Sequence, residues 1–153
     1  MTSRTFCYCT LMACRVALCG IICASSVHAQ IVINEIMSSP LTPEPEWIEL
    51  YNTVDDTIGF TSLYLYDATS RAPIPAFSLP GKAYLVLCKD TAALRKARAL
   101  PLYTQLVRIT LPSLNNTGEV LRLQTKDSLT IDSVIYQNAW GTSGRSLERI
   151  NAS

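Results

Sequence analysis

Histidine is almost missing from this chain, because His28 is the only one among its 153 residues. Histidine titrates near neutral pH, and it is the usual base of hydrolytic triads and a frequent metal ligand. His28 also lies in an N-terminal segment that we expect to be removed. The sequence therefore predicts a protein that is not an enzyme, and we assign it no catalytic, cofactor-binding or metal-binding residue and no cofactor.

Acidic residues are absent before Glu35, which is typical of a secretory signal peptide. Arg4 and Arg15 supply the positive charge of such a signal, and Val16–Ala24 is its apolar run. Val27–Ala29 is its small-residue cleavage site. We expect cleavage after Ala29. Residues 1–29 would then be the signal peptide, and residues 30–153 would form one exported domain, secreted or held at the cell surface.

A long apolar run is missing as well. A membrane-spanning helix needs about 20 mostly apolar residues, and Ser25 and Ser26 interrupt the N-terminal run too early. A lipoprotein anchor at Cys14 is the other alternative, but too little apolar sequence precedes that cysteine. We therefore expect no transmembrane segment in the mature chain.

Disulfide bonds are excluded within the expected mature chain, although the full sequence has six cysteines. All of them except Cys88 lie in the segment that we expect to be removed. Cys88 lies in an apolar stretch beside Lys89, whereas a reactive thiol needs exposure and a lowered pKa. We interpret Cys88 as a buried structural residue.

An excess of basic charge is also missing. The whole chain has 13 basic and 12 acidic residues, and removing Arg4 and Arg15 leaves 11 against 12, a net charge of −1. Proteins that bind nucleic acid normally carry a basic excess, so nucleic acid is not an expected partner.

Short segments rich in β-branched and aromatic residues alternate with Gly-, Pro- and Asn-rich turns along the rest of the chain. We predict strands over residues 31–37, 46–52, 63–67, 83–88, 106–111, 120–124, 129–136 and 146–150. Seven or eight such strands predict an all-β domain, either a sandwich or a barrel. We expect a turn at Asp55, Asp56 and Gly59, and a loop or irregular edge over residues 68–81.

Three local patterns add detail to this strand prediction. Alternation places Ile48 and Leu50 in the core, with Trp47 and Tyr51 on the opposite face. The hydrophobic phase changes in the last long strand, which predicts a β-bulge at Asp132-Ser133. Asp90-Thr91 can start a helix, and the helix formers of residues 92–98 predict one short helix that docks on the sheets.

Several segments in a fixed order are similar to those of the lamin-tail domain. They are Ile33-Asn34-Glu35-Ile36, Glu46-Trp47-Ile48-Glu49-Leu50-Tyr51-Asn52, Tyr84-Leu85-Val86-Leu87, Leu114-Asn115-Asn116-Thr117-Gly118, Ile131-Asp132-Ser133-Val134-Ile135-Tyr136, Trp140 and Ser146-Leu147-Glu148-Arg149. The resemblance covers residues 31–149, and it implies an immunoglobulin-like β-sandwich. Bacterial members of the family occur in exported proteins, often beside nuclease or phosphatase domains, and the resemblance implies a role in binding or attachment.

Carboxylates are the remaining candidates for chemistry. Glu35, Glu46 and Glu49 could approach one another on paired strands, with Asp55, Asp56 and Asp67 nearby in the sequence, and such a site would suit Ca²⁺. The ligand spacing of a dedicated calcium loop is missing, however. The alternative is that Glu49 accepts hydrogen bonds from the backbone or from Arg149, and that Asp55-Asp56 is a solvated turn. Glycoside hydrolysis would need two carboxyl groups across a cleft, and a small sandwich offers little cleft.

Aromatic and basic residues have two interpretations each. Trp47 and Trp140 are either buried anchors or a carbohydrate-stacking platform, and burial is the favoured interpretation. Arg95, Lys96 and Arg98 could touch an acidic partner, but we interpret them as the solvated outer face of the helix.

The function that we predict is that of an exported, non-catalytic, lamin-tail-like module for binding, attachment or architecture. Its partner is a protein, a polysaccharide or a cell surface, and sheet edges with residues 38–46, 68–82 and 112–118 are the expected contact surface. One alternative is an N-terminal accessory domain of a larger secreted hydrolase, a nuclease or phosphatase, whose catalytic part lies outside this chain. Another is an adhesive domain stabilised by Ca²⁺.

Overall fold

The computed structural model describes residues 30–141 and 143–151. The predicted signal peptide, residues 1–29, lies outside the described residues, so cleavage after Ala29 stays a prediction. The described residues form eleven strands and one α-helix. The strands are β1 (Ile31–Met37), β2 (Trp47–Asn52), β3 (Ile58–Phe60), β4 (Leu63–Tyr66), β5 (Arg71–Ile74), β6 (Phe77–Leu79), β7 (Tyr84–Cys88), β8 (Leu106–Arg108), β9 (Gly118–Thr125), β10 (Thr130–Gln137) and β11 (Leu147–Glu148), and helix α1 is Thr91–Ala97.

Two sheets packed face to face form the body of the domain. The five-stranded sheet has the order β11-β1-β2-β7-β8, and the four-stranded sheet has the order β10-β9-β4-β5. Strands β7 and β8 run parallel, and the other neighbours within the two sheets are antiparallel. Strands β3 and β6 form a separate two-stranded ribbon. The predicted all-β sandwich is confirmed.

The core lies between the inner faces of the two sheets. Ile48 and Leu50 of β2 are 0% exposed, as their alternation predicted, and Leu87 of β7 is equally buried. The facing sheet contributes Leu65 and Leu123, which are also 0% exposed. Complete burial of one such side chain contributes about 2 kcal/mol, so this apolar layer is the main source of stability.

Three short strands were missed by the sequence analysis. Gly59 was expected in a turn and instead lies in β3, paired with Ser78 of β6. Residues 68–81 were expected to form a loop or irregular edge, and they contain β5 and β6. Pro73 obscured β5, but this strand is an edge of its sheet, where proline is tolerated because only one side of the strand needs hydrogen bonds.

Two β-bulges set the direction of the side chains. In β10 the register against β9 shifts between Thr130 and Asp132, so Ile131 is the extra residue, and the bulge lies just before the predicted position. In β1 the register against β2 shifts between Ile33 and Glu35, which makes Asn34 an extra residue that the sequence analysis did not detect. Each bulge reverses the face to which the following residues point.

Helix α1 docks on the outer face of the five-stranded sheet, as predicted. The Asp90 carboxylate caps it by accepting hydrogen bonds from the backbone N–H groups of Ala92 and Ala93, at 3.1 and 3.0 Å. Leu94 is 1% exposed. It packs on a second, smaller apolar cluster that includes Met37, Trp47, Val86 and Cys88. The helix therefore covers one end of that sheet face and leaves the other end open.

Asn52 fixes the loops at the end of β2. Its side chain is 0% exposed. The amide Nδ2 lies 2.9 to 3.0 Å from the carbonyl oxygens of Asp56, Leu79 and Pro80, and Oδ1 accepts a hydrogen bond from the Val54 N–H at 3.1 Å. One buried amide therefore holds the β2–β3 loop against the end of β6.

Candidate binding surfaces

Three glutamates form a row on the outer face of the five-stranded sheet, beside helix α1. Glu35 of β1 is directly opposite Glu49 of β2 and directly opposite Glu148 of β11. We call Glu148, Glu35 and Glu49 the acidic row. Glu46 was expected to join Glu35 and Glu49 but lies elsewhere, because it precedes the outward-facing Trp47. Its carboxylate accepts a hydrogen bond from the Leu114 N–H at 3.3 Å.

The acidic row has no cationic partner among the described residues. Burial raises the pKa of Glu49; the hydrogen bond from Asn34 Nδ2, at 2.9 Å, opposes this shift, and the charges of Glu35 and Glu148 reinforce it. Ser146 Oγ donates a hydrogen bond to Glu35. Like charges directly opposite each other on neighbouring strands destabilise a sheet, so the row is an electrostatic cost that the fold tolerates.

Arg149 was considered as a partner for Glu49, and this assignment is wrong. Its guanidinium Nη2 lies 2.6 Å from Asp132 Oδ2, and its Nε donates to the Ile33 carbonyl at 3.0 Å. The bulge in β10 turns Asp132 inward, opposite Leu123, which brings its carboxylate to β1. Arg149 therefore joins the two sheets and leaves the acidic row unpaired.

The aspartates near the row in sequence are engaged in turns. Asp55 lies 3.6 Å from Lys82 Nζ, with its side chain 93% exposed, in agreement with a solvated turn. Asp67 accepts hydrogen bonds from the N–H groups of Thr69 and Ser70. Burial alone would raise the pKa of Asp67, but these hydrogen bonds outweigh burial and lower it. Across residues 30–141 and 143–151, no three His, Cys, Asp or Glu side chains converge in a way that would hold a metal ion.

The predicted basic cluster on α1 has structural contacts rather than a purely solvated face. Arg98 pairs with Glu44 at 2.6 Å and lies over the Trp47 ring, 5.6 Å from its centroid. The Arg95 guanidinium donates to the carbonyl oxygens of Pro101 and Thr104. These contacts fix the loop after the helix, and only Lys96 matches the solvated face that was predicted.

The two tryptophans differ in their surroundings. Trp47 is 7% exposed beneath α1, and its Nε1 donates to Glu44 at 2.7 Å, so its predicted burial is confirmed. Trp140 was also expected to be buried, but it is 63% exposed. It follows β10 in a short 3₁₀ turn, Asn138–Trp140, which projects its ring away from the core. Sequence alone did not show that this turn lies at an open side of the sandwich.

An apolar groove of about 370 Å³ lies beside Trp140, between β10 and β11. Side chains from both sheets line it, chiefly Ile33, Ile36, Val134, Ile135, Leu147 and Ile150. Ile135 is 59% exposed, and Ile150 is fully exposed. Strand β10 is eight residues long and is an edge of its sheet, so the described chain places a strand on one side of it only. We call this feature the edge groove.

The outer face of the four-stranded sheet carries a second exposed surface. The Arg71 guanidinium lies 5.1 Å from the Tyr64 ring centroid and donates to the Tyr66 hydroxyl at 3.1 Å. Arg122 of β9 lies directly opposite Tyr66 and is exposed. The residues of β4, β5, β9 and β10 that alternate to this side include no carboxylate. We call Tyr64, Tyr66, Arg71 and Arg122 the Arg-Tyr face.

Neither the Arg-Tyr face nor the edge groove was predicted from the sequence. Alternation in Leu63-Tyr64-Leu65-Tyr66 and Leu121-Arg122-Leu123 assigned an outward side to each strand. It did not indicate that β4 and β9 are neighbours. Of the predicted contact loops, residues 38–46 do include an exposed apolar side chain, Leu41, which is 62% exposed.

Cys88 is 0% exposed, and burial raises the pKa of its thiol. Its predicted burial in an apolar strand is therefore confirmed. Among the described residues, no helix has the length and apolar character that crossing a bilayer requires. The sequence matches no protein-family model, and a comparison with curated proteins finds no similar sequence.

Proposed function

We propose that this chain is an exported, non-catalytic attachment domain of the lamin-tail type, which holds an extended segment of a partner protein at its edge groove. The order of the lamin-tail-like segments supports the family, and the signal-like pattern of residues 1–29 supports export. The observation that carries the binding role is the position of the edge groove, directly beside the free edge of β10. Exposed strand edges next to apolar pockets are used to bind peptides by strand addition.

A protein partner fits the edge groove better than a polysaccharide does. The free edge of β10 offers backbone N–H and C=O groups that a second polypeptide backbone can pair with. The groove is lined mainly by aliphatic side chains, which match alternate apolar side chains of an extended peptide. Trp140 and Ile135 at its rim would supply much of the contact area, since large apolar side chains dominate binding energy at interfaces.

The binding role can be tested with a random peptide library selected against the full exported chain. We expect enrichment of extended, apolar peptides that raise or shift the fluorescence of Trp140. Ile135→Lys should weaken their binding at least tenfold, because it places a charge at the groove rim. Leu129→Lys is the matched control, since Leu129 is 67% exposed and does not line the groove. Equal loss of affinity in both variants, or no enriched peptide, would contradict the proposal.

Export is tested separately by mass spectrometry of the secreted protein. We expect a mature N-terminus at Gln30, and a secreted chain that still contains residues 1–29 would contradict cleavage after Ala29. The calcium-stabilised alternative predicts a higher melting temperature in millimolar Ca²⁺, because a ligand that binds only the folded state stabilises it. We expect no such shift.

A further inference from the structure

The acidic row and the Arg-Tyr face carry opposite charge and lie on two different sheets. The acidic row crosses the five-stranded sheet, and the Arg-Tyr face covers the four-stranded sheet on the opposite side of the molecule. Three carboxylates on a sheet are by themselves an ordinary solvated surface. A second copy of the chain is the partner that fits the acidic row, because the same chain also presents a cationic face of matching dimensions.

The two rows have the same spacing. Arg122, Tyr66 and Arg71 are directly opposite one another on three neighbouring strands, β9, β4 and β5. The acidic row likewise occupies three neighbouring strands, β11, β1 and β2. Adjacent strands lie about 4.8 Å apart, so the outer members of each row are separated by about 10 Å. Two guanidinium groups can therefore face two carboxylates at the same time.

Aromatic residues flank both rows. Next to the acidic row, Tyr51 and Tyr84 stack with ring centroids 4.7 Å apart, and Tyr84 is 50% exposed. Next to the arginine row, Tyr64 lies directly opposite Pro73. Each charged row thus has at least one tyrosine beside it.

We infer that copies of this chain stack on each other, with the Arg-Tyr face of one copy on the acidic row of the next. Arg71 and Arg122 would pair with Glu49 and Glu148, and the Tyr66 hydroxyl would donate to Glu35. The contact would neutralise the like charges that face each other within the acidic row. The stacking contact differs from the edge groove, although Glu148 belongs to the acidic row and also lines the groove.

The predicted contact joins two different surfaces, so it is heterologous and does not close on itself. Every added copy leaves one free face of each kind, and the product is an open linear chain rather than a symmetric dimer. The expected net charge of −1 per mature copy produces little repulsion between copies. Charge pairs at an exposed interface are screened by salt, so assembly should weaken as ionic strength rises.

Complementary charge-reversed variants of the full exported chain provide the test. One variant combines Arg71→Glu with Arg122→Glu, and the other combines Glu35→Lys with Glu148→Lys. Sedimentation velocity of the unaltered chain should show a mass that grows with concentration at low salt and falls at high salt. Each variant alone should remain monomeric, because each retains only one of the two faces. Their equimolar mixture should regain a mass that grows with concentration, since both faces of the first variant are then acidic and both faces of the second are basic.

Lys96→Glu and Asp127→Lys are matched controls, because they reverse exposed charges outside both faces, and both should assemble like the unaltered chain. Melting curves of all variants, together with peptide binding at the edge groove by the variant with Arg71→Glu and Arg122→Glu, separate loss of folding or of the proposed function from loss of stacking. Three results would overturn the inference: an unaltered chain that stays monomeric at every concentration at low salt, reversed variants that still assemble alone, or a mixture of the two variants that does not assemble.

Discussion

Arg149 and Asp132 join the two sheets of the sandwich at its open side. Arg149 Nη2 lies 2.6 Å from Asp132 Oδ2, and the same carboxylate oxygen accepts a hydrogen bond from the Ile33 N–H at 2.8 Å. The two side chains are only 25% and 10% exposed. An ionised carboxylate so far from water needs these donors, so the pair depends on all of its partners.

Arg149→Met should therefore destabilise the domain by about 2 kcal/mol, because it leaves the Asp132 carboxylate partly buried without its cationic partner. Chemical denaturation followed by intrinsic fluorescence measures this change. Arg145→Met is the control, since Arg145 is exposed in the preceding loop. If Arg149→Met unfolds at the same denaturant concentration as the control, the pair contributes nothing to stability.

Ile48→Asp or Leu87→Asp should each destabilise the domain by on the order of 4 kcal/mol, because either substitution buries an unpaired charge between the sheets. Circular dichroism melting curves provide the measurement. Leu129→Asp places the same charge at an exposed position and should melt like the unaltered chain. A variant of Ile48 or Leu87 that also melts normally would show that the inner face of the five-stranded sheet is assigned incorrectly.

Cys88→Ala should leave binding at the edge groove unchanged and lower stability by only about 1 kcal/mol, since it removes one small buried group. Cys88→Ser should likewise preserve binding. In the folded protein, the thiol should not react with a disulfide reagent, because it is 0% exposed and burial raises its pKa. Rapid labelling of the native chain, or lost binding with the fold intact, would reveal a role for the thiol.

Glu49→Gln should raise the melting temperature at neutral pH. The pKa of Glu49 is raised above its ordinary value of 4.5, mainly by burial. A carboxyl group whose pKa is higher in the folded chain than in the unfolded chain destabilises the folded state when it ionises. The free energy of unfolding therefore falls as the pH rises from about 4.5 through the folded-state pKa.

The amide in Glu49→Gln keeps an acceptor for Asn34 and carries no charge at any pH. The gain in melting temperature should therefore shrink as the pH falls below 4.5. Glu148→Gln is the control at an exposed position of the same row and should have a smaller effect. A gain for Glu49→Gln that is independent of pH would indicate that charge is not its cause.

Local patterns predicted much of the fold. Alternation in segments such as Glu46–Asn52 and Val120–Gln124 identified strands and their buried sides, because a strand with one face in the core repeats every two residues. The helix was recognised from its Asp90 cap and from a run of helix formers. These features depend on neighbours in the sequence, which is why one sequence was sufficient to find them.

What the sequence did not predict depends on which strands lie side by side. Trp140 is exposed because β10 and β11 are the edges of two different sheets. Asp132 pairs with Arg149 because a bulge turns the Asp132 carboxylate toward β1. Asn52 gave no signal of its own, since two of its three carbonyl partners, Leu79 and Pro80, are distant in the sequence, at the end of β6. The acidic row and the Arg-Tyr face are likewise products of strand order.

The bulge at Asn34 has a consequence for how this domain tolerates changes of length. Without an extra residue, strict alternation would put Ile31, Ile33 and Glu35 on the same side of β1. Either a carboxylate would then lie in the core or two isoleucines would lie in water. Asn34 is the extra residue that places Glu35 on the side opposite Ile31 and Ile33. It is therefore the one position of the strand that can be deleted without turning the neighbouring side chains to the other face. Related chains that are shorter by a residue should therefore have their gap here, and nowhere else in β1.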